Sequence, residues 1–130
     1  MDIQISQEQG RVGVTVFRLQ GELITEDELV SKARQAYQAG ARNILIDLSN
    51  VTYVSSIGLR ALHELFTMLR TDDPTESNEA MKRGINAGVF TSPHLKLLNP
   101  SKHVLEVLKI TGYDMFIDIH HNYQKAIASF

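Results

Sequence analysis

Two adjacent serines, Ser55 and Ser56, stand where one structural pattern of the sequence gives way to another. The run from Ile44 to Leu48 is short, apolar and rich in β-branched residues, which predicts a buried strand, with Asp47 and Asn50 interrupting it. From Leu59 onward apolar residues recur at helical spacing and predict an amphipathic helix. The first N–H groups of a helix lack intrahelical partners, so a hydroxyl at this junction can cap them, and a phosphate would also meet the positive end of the helix dipole. The junction is therefore either a plain helix cap or a phosphorylation switch.

Residue types elsewhere in the chain argue against catalysis. The serine pair lacks the flanking glycine of a Gly-x-Ser-x-Gly nucleophile elbow, and the chain has no glycine-rich phosphate loop. It contains no cysteine, and its histidines show no His-x-x-x-His spacing. We therefore expect no catalytic residues, no metal and no cofactor. The histidines are His63, His94, His103, His120 and His121.

Length and charge set the class of protein. A chain of 130 residues fits one domain, residues 1–130, with one core. The net charge of −2, with no run of basic residues, gives no field that would attract nucleic acid. The N-terminus lacks the pattern of a signal peptide, and no apolar run is long enough to span a membrane. The sequence thus predicts a cytoplasmic protein with no nucleic-acid partner and no direct membrane insertion.

The elements around the serine pair follow the order β-β-α-β-α-β-α-β-α. Residues 3–5 and 12–19 alternate between apolar and polar side chains and predict a hairpin, and residues 115–119 predict the last strand. Strands alternating with helices imply right-handed crossovers and parallel pairing. We expect an α/β fold with a mixed, mostly parallel sheet of four to five strands and about four helices packed mainly on one face. A polar, acidic segment makes the stretch at about 72–91 an exposed insertion.

Three helix starts and one helix face can also be predicted from the sequence. Thr25 with Glu28 has the form of a capping box for the first helix. Asn99 is expected to cap the third, with Pro100 at its first position. The last helix spans 122–130, with its apolar side chains on one side.

The motifs at the serine pair resemble the signature of the STAS domain family, in particular the bacterial anti-sigma factor antagonists. The matching residues are Asp47-Leu48-Ser49 followed by Val51-Thr52-Tyr53-Val54-Ser55-Ser56-Ile57-Gly58-Leu59. Aligned on Gly58, the family's phosphorylatable serine falls on Ser56, while its usual acidic residue falls on Ser55 and its following small residue on Ile57. Ile24 stands where the family often has an aspartate, so the nucleotide contact of that acid is not carried over. The resemblance favours Ser56 as phosphoacceptor with Ser55 as the cap, and Ser55 is the alternative acceptor.

The resemblance implies a phosphorylation-switchable binding module that is not an enzyme. In its unphosphorylated form it would bind an anti-sigma factor that is also a serine kinase, with ATP bound by that partner, and so release a sigma factor. A serine phosphatase would restore the active form. The oligomeric state is left open. The residues expected to contact the partner are Tyr53, Val54, Ser55, Ser56, Ile57, Arg60, Asn99 and Ser101.

Two other hypotheses stay open. The departures from the motif at Ser55 and Ile57, together with the long insertion, allow a STAS interaction subunit of a signalling or transporter assembly that is not phosphorylated. An enzyme is the third hypothesis, and hydrolytic turnover that is abolished by Ser56→Ala would support it.

Overall fold

A computed structural model of the chain describes residues 1–70 and 92–130, so the predicted insertion lies outside the described residues. Five strands form one sheet, and they lie side by side in the order in which they occur along the chain. The first strand is antiparallel to the second, and all other neighbours are parallel. This confirms the predicted mixed, mostly parallel sheet. The strands are β1 (Asp2–Gln9), β2 (Gly13–Leu23), β3 (Ile44–Val54), β4 (Leu95–Leu98) and β5 (Asp118–His120).

The helices of the described ranges follow the predicted order. They are α1 (Asp27–Gln38), α2 (Ser56–Arg70), α3 (Lys102–Ile110) and α4 (Tyr123–Ala128). A short 3₁₀ helix, Tyr113–Met115, lies between α3 and β5.

The sheet has an apolar core on each face, because alternate residues of a strand point to opposite sides. Helices α1, α2 and α3 cover the larger core, to which Phe17 and Ile46 contribute from the strands. Helix α4 covers the other face, where Ala126 and Ile127 pack with strand residues such as Leu45. Three of the four described helices therefore share one face, as predicted.

Strand β3 is longer than the sequence predicted. Its pairing with β2 shifts between Arg18 and Gln20 and again between Gly21 and Glu22, and each shift adds one residue to β3. At the first shift the Asp47 carboxylate accepts hydrogen bonds from the N–H and hydroxyl of Ser49, at 2.9 and 2.6 Å. The prediction that the strand is interrupted near Asp47 was wrong, because bulges absorb the polar residues and pairing continues to Val54.

Two predicted caps were also wrong. Helix α1 begins after Glu26, and no side chain caps it, so Thr25 does not form a capping box. Ser101, not Asn99, caps α3, by accepting a hydrogen bond from the Val104 N–H at 3.2 Å. Asn99 instead adopts a left-handed conformation, with φ 50°, and its N–H donates to the His120 carbonyl. This pairing with the end of β5 delays the helix by two residues.

The last strand was predicted too early and too long. Met115 lies in the 3₁₀ helix, and β5 begins only at Asp118. Phe116 packs its ring against Phe66 and Tyr113, so this segment contributes to the larger core rather than to the sheet. The last helix, Tyr123–Ala128, lies within the predicted 122–130; Asn122 caps it, and its apolar side chains face the smaller core, as predicted.

Candidate functional site

The two serines have different environments at the junction of β3 and α2. The Ser55 hydroxyl accepts a hydrogen bond from the Gly58 N–H at 3.1 Å, which is the geometry of a helix cap. The Ser55 N–H donates to the Leu23 carbonyl at 3.0 Å. Ser56, the first residue of α2, is exposed, and its hydroxyl makes no hydrogen bond within the described part of the chain. The Ser55 hydroxyl thus supports the helix, and the Ser56 hydroxyl is available to an enzyme.

The absence of a side chain at Gly58 allows the end of β2 to lie close to this helix. A Cβ atom at Gly58 would overlap the carbonyl oxygen of Leu23 and lie 2.9 Å from its Cγ. Only a residue without a side chain allows this approach. The contact fixes the first turn of α2 against the chain that leaves β2.

Three large apolar side chains lie near the serine pair, either along the chain or through the β2–β3 register, and they are exposed. Ile24, Tyr53 and Ile57 are 46%, 43% and 47% exposed, and we call them the apolar rim. Leu23 pairs with Val54 in the β2–β3 register, so Ile24 and Ser55 leave the sheet side by side. The β2–β3 register, rather than sequence proximity, therefore brings Ile24 to the site.

Helix α3 lies beside the same end of the sheet. The ring of His103 stacks on Tyr53 with centroids 6.2 Å apart and an angle of 15° between the planes. The loop from β4 to α3, which carries Asn99 and Ser101, begins where Leu98 pairs with Asp47, whereas β3 continues to Val54. Both loop residues are only partly exposed, and the Ser101 hydroxyl accepts the capping bond of α3.

The predicted contact residues differ in how accessible they are to a partner. Ser56, Ile57 and Arg60 are exposed on the first turns of α2, whereas the Val54 side chain is 3% exposed and belongs to the core. Sequence reasoning missed Ile24 as a neighbour of Ser55 and His103 as a neighbour of Tyr53. The apolar Ile24 directly after the predicted strand was a usable signal, but the stacking of His103 joins residues 50 positions apart in the chain and left no local signal.

The first turn of α2 holds no acidic residue, and the first basic residue of this helix is Arg60. Arg60 is exposed and lies one turn after Ser56 on the same helix. Burial raises the pKa of the Tyr113 phenol, and the neighbouring Arg60 guanidinium partly opposes that rise. The nearest charged side chain to Ser56 within α2 is therefore a cation, while the exposed Glu22 pairs with Tyr53 in the β2–β3 register.

Residues 1–70 and 92–130 contain no group of three or more histidines and acids placed to hold a metal ion. In the same ranges no helix has the length and apolar character needed to cross a bilayer.

The sequence matches one family, and solved structures match the fold. The sequence profile of the STAS domain family matches residues 6–73, slightly more than half of the chain. No curated protein matches the chain in sequence. Solved structures resemble it in fold at identities below 20%, which by themselves show the fold alone.

Three of these structures are anti-sigma factor antagonists. The protein from Mycobacterium paratuberculosis is 18% identical, with 98% of this chain and 93% of that chain covered and a TM-score of 0.68. SpoIIAA in its unphosphorylated form is 16% identical, with coverages of 96% and 93% and a TM-score of 0.60. The Bacillus cell fate determinant SpoIIAA in its phosphorylated form is 19% identical, with coverages of 97% and 96% and a TM-score of 0.60.

Proposed function

The chain belongs to the STAS domain family, and from this we propose that it is an anti-sigma factor antagonist switched by phosphorylation of Ser56. The unphosphorylated form binds an anti-sigma factor that is also a serine kinase, in the cytoplasm, and a sigma factor is released. The partner brings the ATP, and a serine phosphatase reverses the modification. The related structures include one antagonist in both an unphosphorylated and a phosphorylated form, which supports the proposal.

The observation that carries the proposal is the division of roles between the two serines. The Ser55 hydroxyl is engaged with the Gly58 N–H, while the Ser56 hydroxyl is exposed and without a hydrogen bond in the described ranges. A kinase can therefore use the Ser56 hydroxyl without breaking the helix cap. The phosphate is tolerated by the fold, because a negative charge at a helix start is favourable by roughly 0.3–1 kcal/mol.

The apolar rim explains why the phosphate would release a partner. Exposed clusters of aromatic and aliphatic side chains are typical of protein-binding surfaces. Ser56 is next to Ile57 in this cluster, so a phosphate would place about −1.5 to −2 charges within the interface. Desolvating such a charge in an interface costs several kcal/mol, which one nearby cation offsets only in part, and each 1.4 kcal/mol lowers affinity tenfold. The domain need not refold for the switch to work.

The experiment is phosphorylation by the kinase-type anti-sigma factors of the protein's own source, with ATP, followed by intact mass and site mapping. Wild type is compared with Ser56→Ala and with Ser55→Asn. The second variant keeps an N-cap side chain but removes the hydroxyl, whereas Ser55→Ala would also lose about 1 kcal/mol of helix capping. Partner affinity is measured for the modified and unmodified proteins.

A single phosphate that is absent only in Ser56→Ala, with loss of partner binding on modification, is the expected result. Loss of the phosphate only in Ser55→Asn would move the acceptor to Ser55. Partner binding with no phosphate from any of these kinases would favour an interaction subunit of a signalling or transporter assembly. Hydrolytic turnover that Ser56→Ala abolishes would contradict a non-enzymatic role.

A further inference from the structure

We propose that Arg60 holds the phosphate of phosphorylated Ser56, through an ion pair across one turn of α2. This inference rests on the proposed function, because it concerns the modified form of the same site. It assigns Arg60 to the phosphorylated state as well as to the partner surface.

The helix places the two residues within reach of each other. Ser56 and Arg60 are separated by four positions in one continuous helix, Ser56–Arg70, and both are exposed. Residues at this spacing are neighbours on the helix surface, with Cβ atoms about 5–6 Å apart. Side chains of a helix lean toward its N-terminus, so an arginine at position 60 can reach back over the turn that begins with Ser56. An acidic group N-terminal to a basic one is also the favourable order for such a pair.

Arg60 has no competing carboxylate in the described part of the chain. No Asp or Glu of residues 1–70 or 92–130 lies within ion-pair distance of it. Glu64, one turn further along α2, lines the groove toward α1 with Glu26 and Arg34. The charge effect of Arg60 on Tyr113 involves a neutral phenol. A phosphate is a much stronger partner for a guanidinium, which can donate two parallel hydrogen bonds to it.

Phosphorylation would then change the binding surface in two ways. It adds a dianion beside the apolar rim, and it draws the Arg60 cation into an intramolecular pair. A partner that uses Arg60 loses that contact at the same time as it meets the phosphate. The phosphorylated surface therefore differs from the unphosphorylated one over a full helical turn.

The test uses the full chain with phosphoserine installed at position 56 by genetic code expansion, so that no kinase is needed. The pKa of the phosphate is followed by ³¹P NMR titration in the wild-type background and in Arg60→Gln, Arg60→Lys and Arg34→Gln. Arg34 is an exposed arginine on α1 and serves as the matched control for removal of one positive charge. The spectrum reports on the phosphate itself, so a purely structural role of Arg60 would not change it.

We expect Arg60→Gln to raise the second pKa of the phosphate by roughly 0.2–0.4 units, about twofold in proton affinity, because the dianion loses its cation. Arg60→Lys should give a smaller rise, and Arg34→Gln none. Equal pKa values in wild type and Arg60→Gln, or equal shifts in Arg60→Gln and Arg34→Gln, would overturn the inference. Because the phosphate is installed directly, these results do not depend on whether a kinase modifies Ser56. Failure of the kinase experiment would thus be distinguishable from failure of this pair.

Discussion

Replacing Gly58 with alanine tests the close approach of β2 to α2. Alanine in place of glycine inside a helix ordinarily stabilises it by about 1 kcal/mol. Here the new Cβ atom would overlap the Leu23 carbonyl oxygen, and the Leu23 Cγ would lie at 2.9 Å. Because the overlapped atom belongs to the backbone, the clash cannot be relieved by a side-chain rotation. The same carbonyl accepts the Ser55 N–H at 3.0 Å, so moving it also strains that hydrogen bond.

The expected net effect is destabilisation by about 1–3 kcal/mol. Overpacking typically costs about 1–3 kcal/mol and a weakened hydrogen bond about 0.5–1.5 kcal/mol, and the helix propensity of alanine offsets part of this. Urea unfolding followed by far-UV circular dichroism suits a chain without tryptophan. With a slope of roughly 2 kcal/mol/M the midpoint should fall by about 0.5–1.5 M.

Gly13→Ala is the matched control, because a Cβ there would meet nothing nearer than the Gln9 Oε1 at 3.9 Å. Its midpoint should stay within a few tenths of 1 M of wild type. An unchanged or raised midpoint in Gly58→Ala would refute the reasoning, since it would mean that Leu23 and the first turn of α2 separate without cost.

Two further predictions concern the face covered by α4. Asp118→Ala should lower the free energy of unfolding by about 1–3 kcal/mol in urea titrations, because it leaves the nearly buried Lys96 ammonium without the carboxylate 3.1 Å away. Lys96→Met should cost less, because the Asp118 side chain that it leaves unpaired is 46% exposed. Equal losses in the two variants would contradict this reasoning. Burial lowers the pKa of His120 most, nearby Lys96 and His121 lower it further, and Asp118 opposes them. His120 therefore binds a proton more readily in the unfolded chain than in the folded one, and the free energy of unfolding should fall as the pH drops below about 6.5. In His120→Gln this loss of stability on acidification should be smaller.

Local chemistry made much of the site predictable. The change of period from strand to helix, and the hydroxyls between them, located the junction, and Ser55 caps α2 as predicted. The apolar side of the last helix could also be predicted, because helical periodicity depends only on the order of residues along the chain. The assignment of Ser56 as phosphoacceptor and of the contact residues remains a prediction.

Errors arose where a segment's partner comes from elsewhere in the chain. Asn99 and Ser101 are both good capping residues, and the hydrogen bond from Asn99 to the end of β5 decides between them. The polar residue Asp47 suggested a strand end, but a bulge paired with β2 carries the strand past it. Sequence patterns hold no information about these pairings, since each depends on a register between distant segments.

By itself, the sequence determined the α/β order, the family resemblance and the position of the serine pair, because each is encoded by neighbouring residues. Only the tertiary structure decided the surroundings of that pair. The β2–β3 register brings Ile24 beside Ser55, and the packing of α3 brings His103 onto Tyr53. The apolar rim thus forms because the carboxyl ends of the parallel strands β2 and β3 lie side by side at one end of the sheet, although they are far apart along the chain.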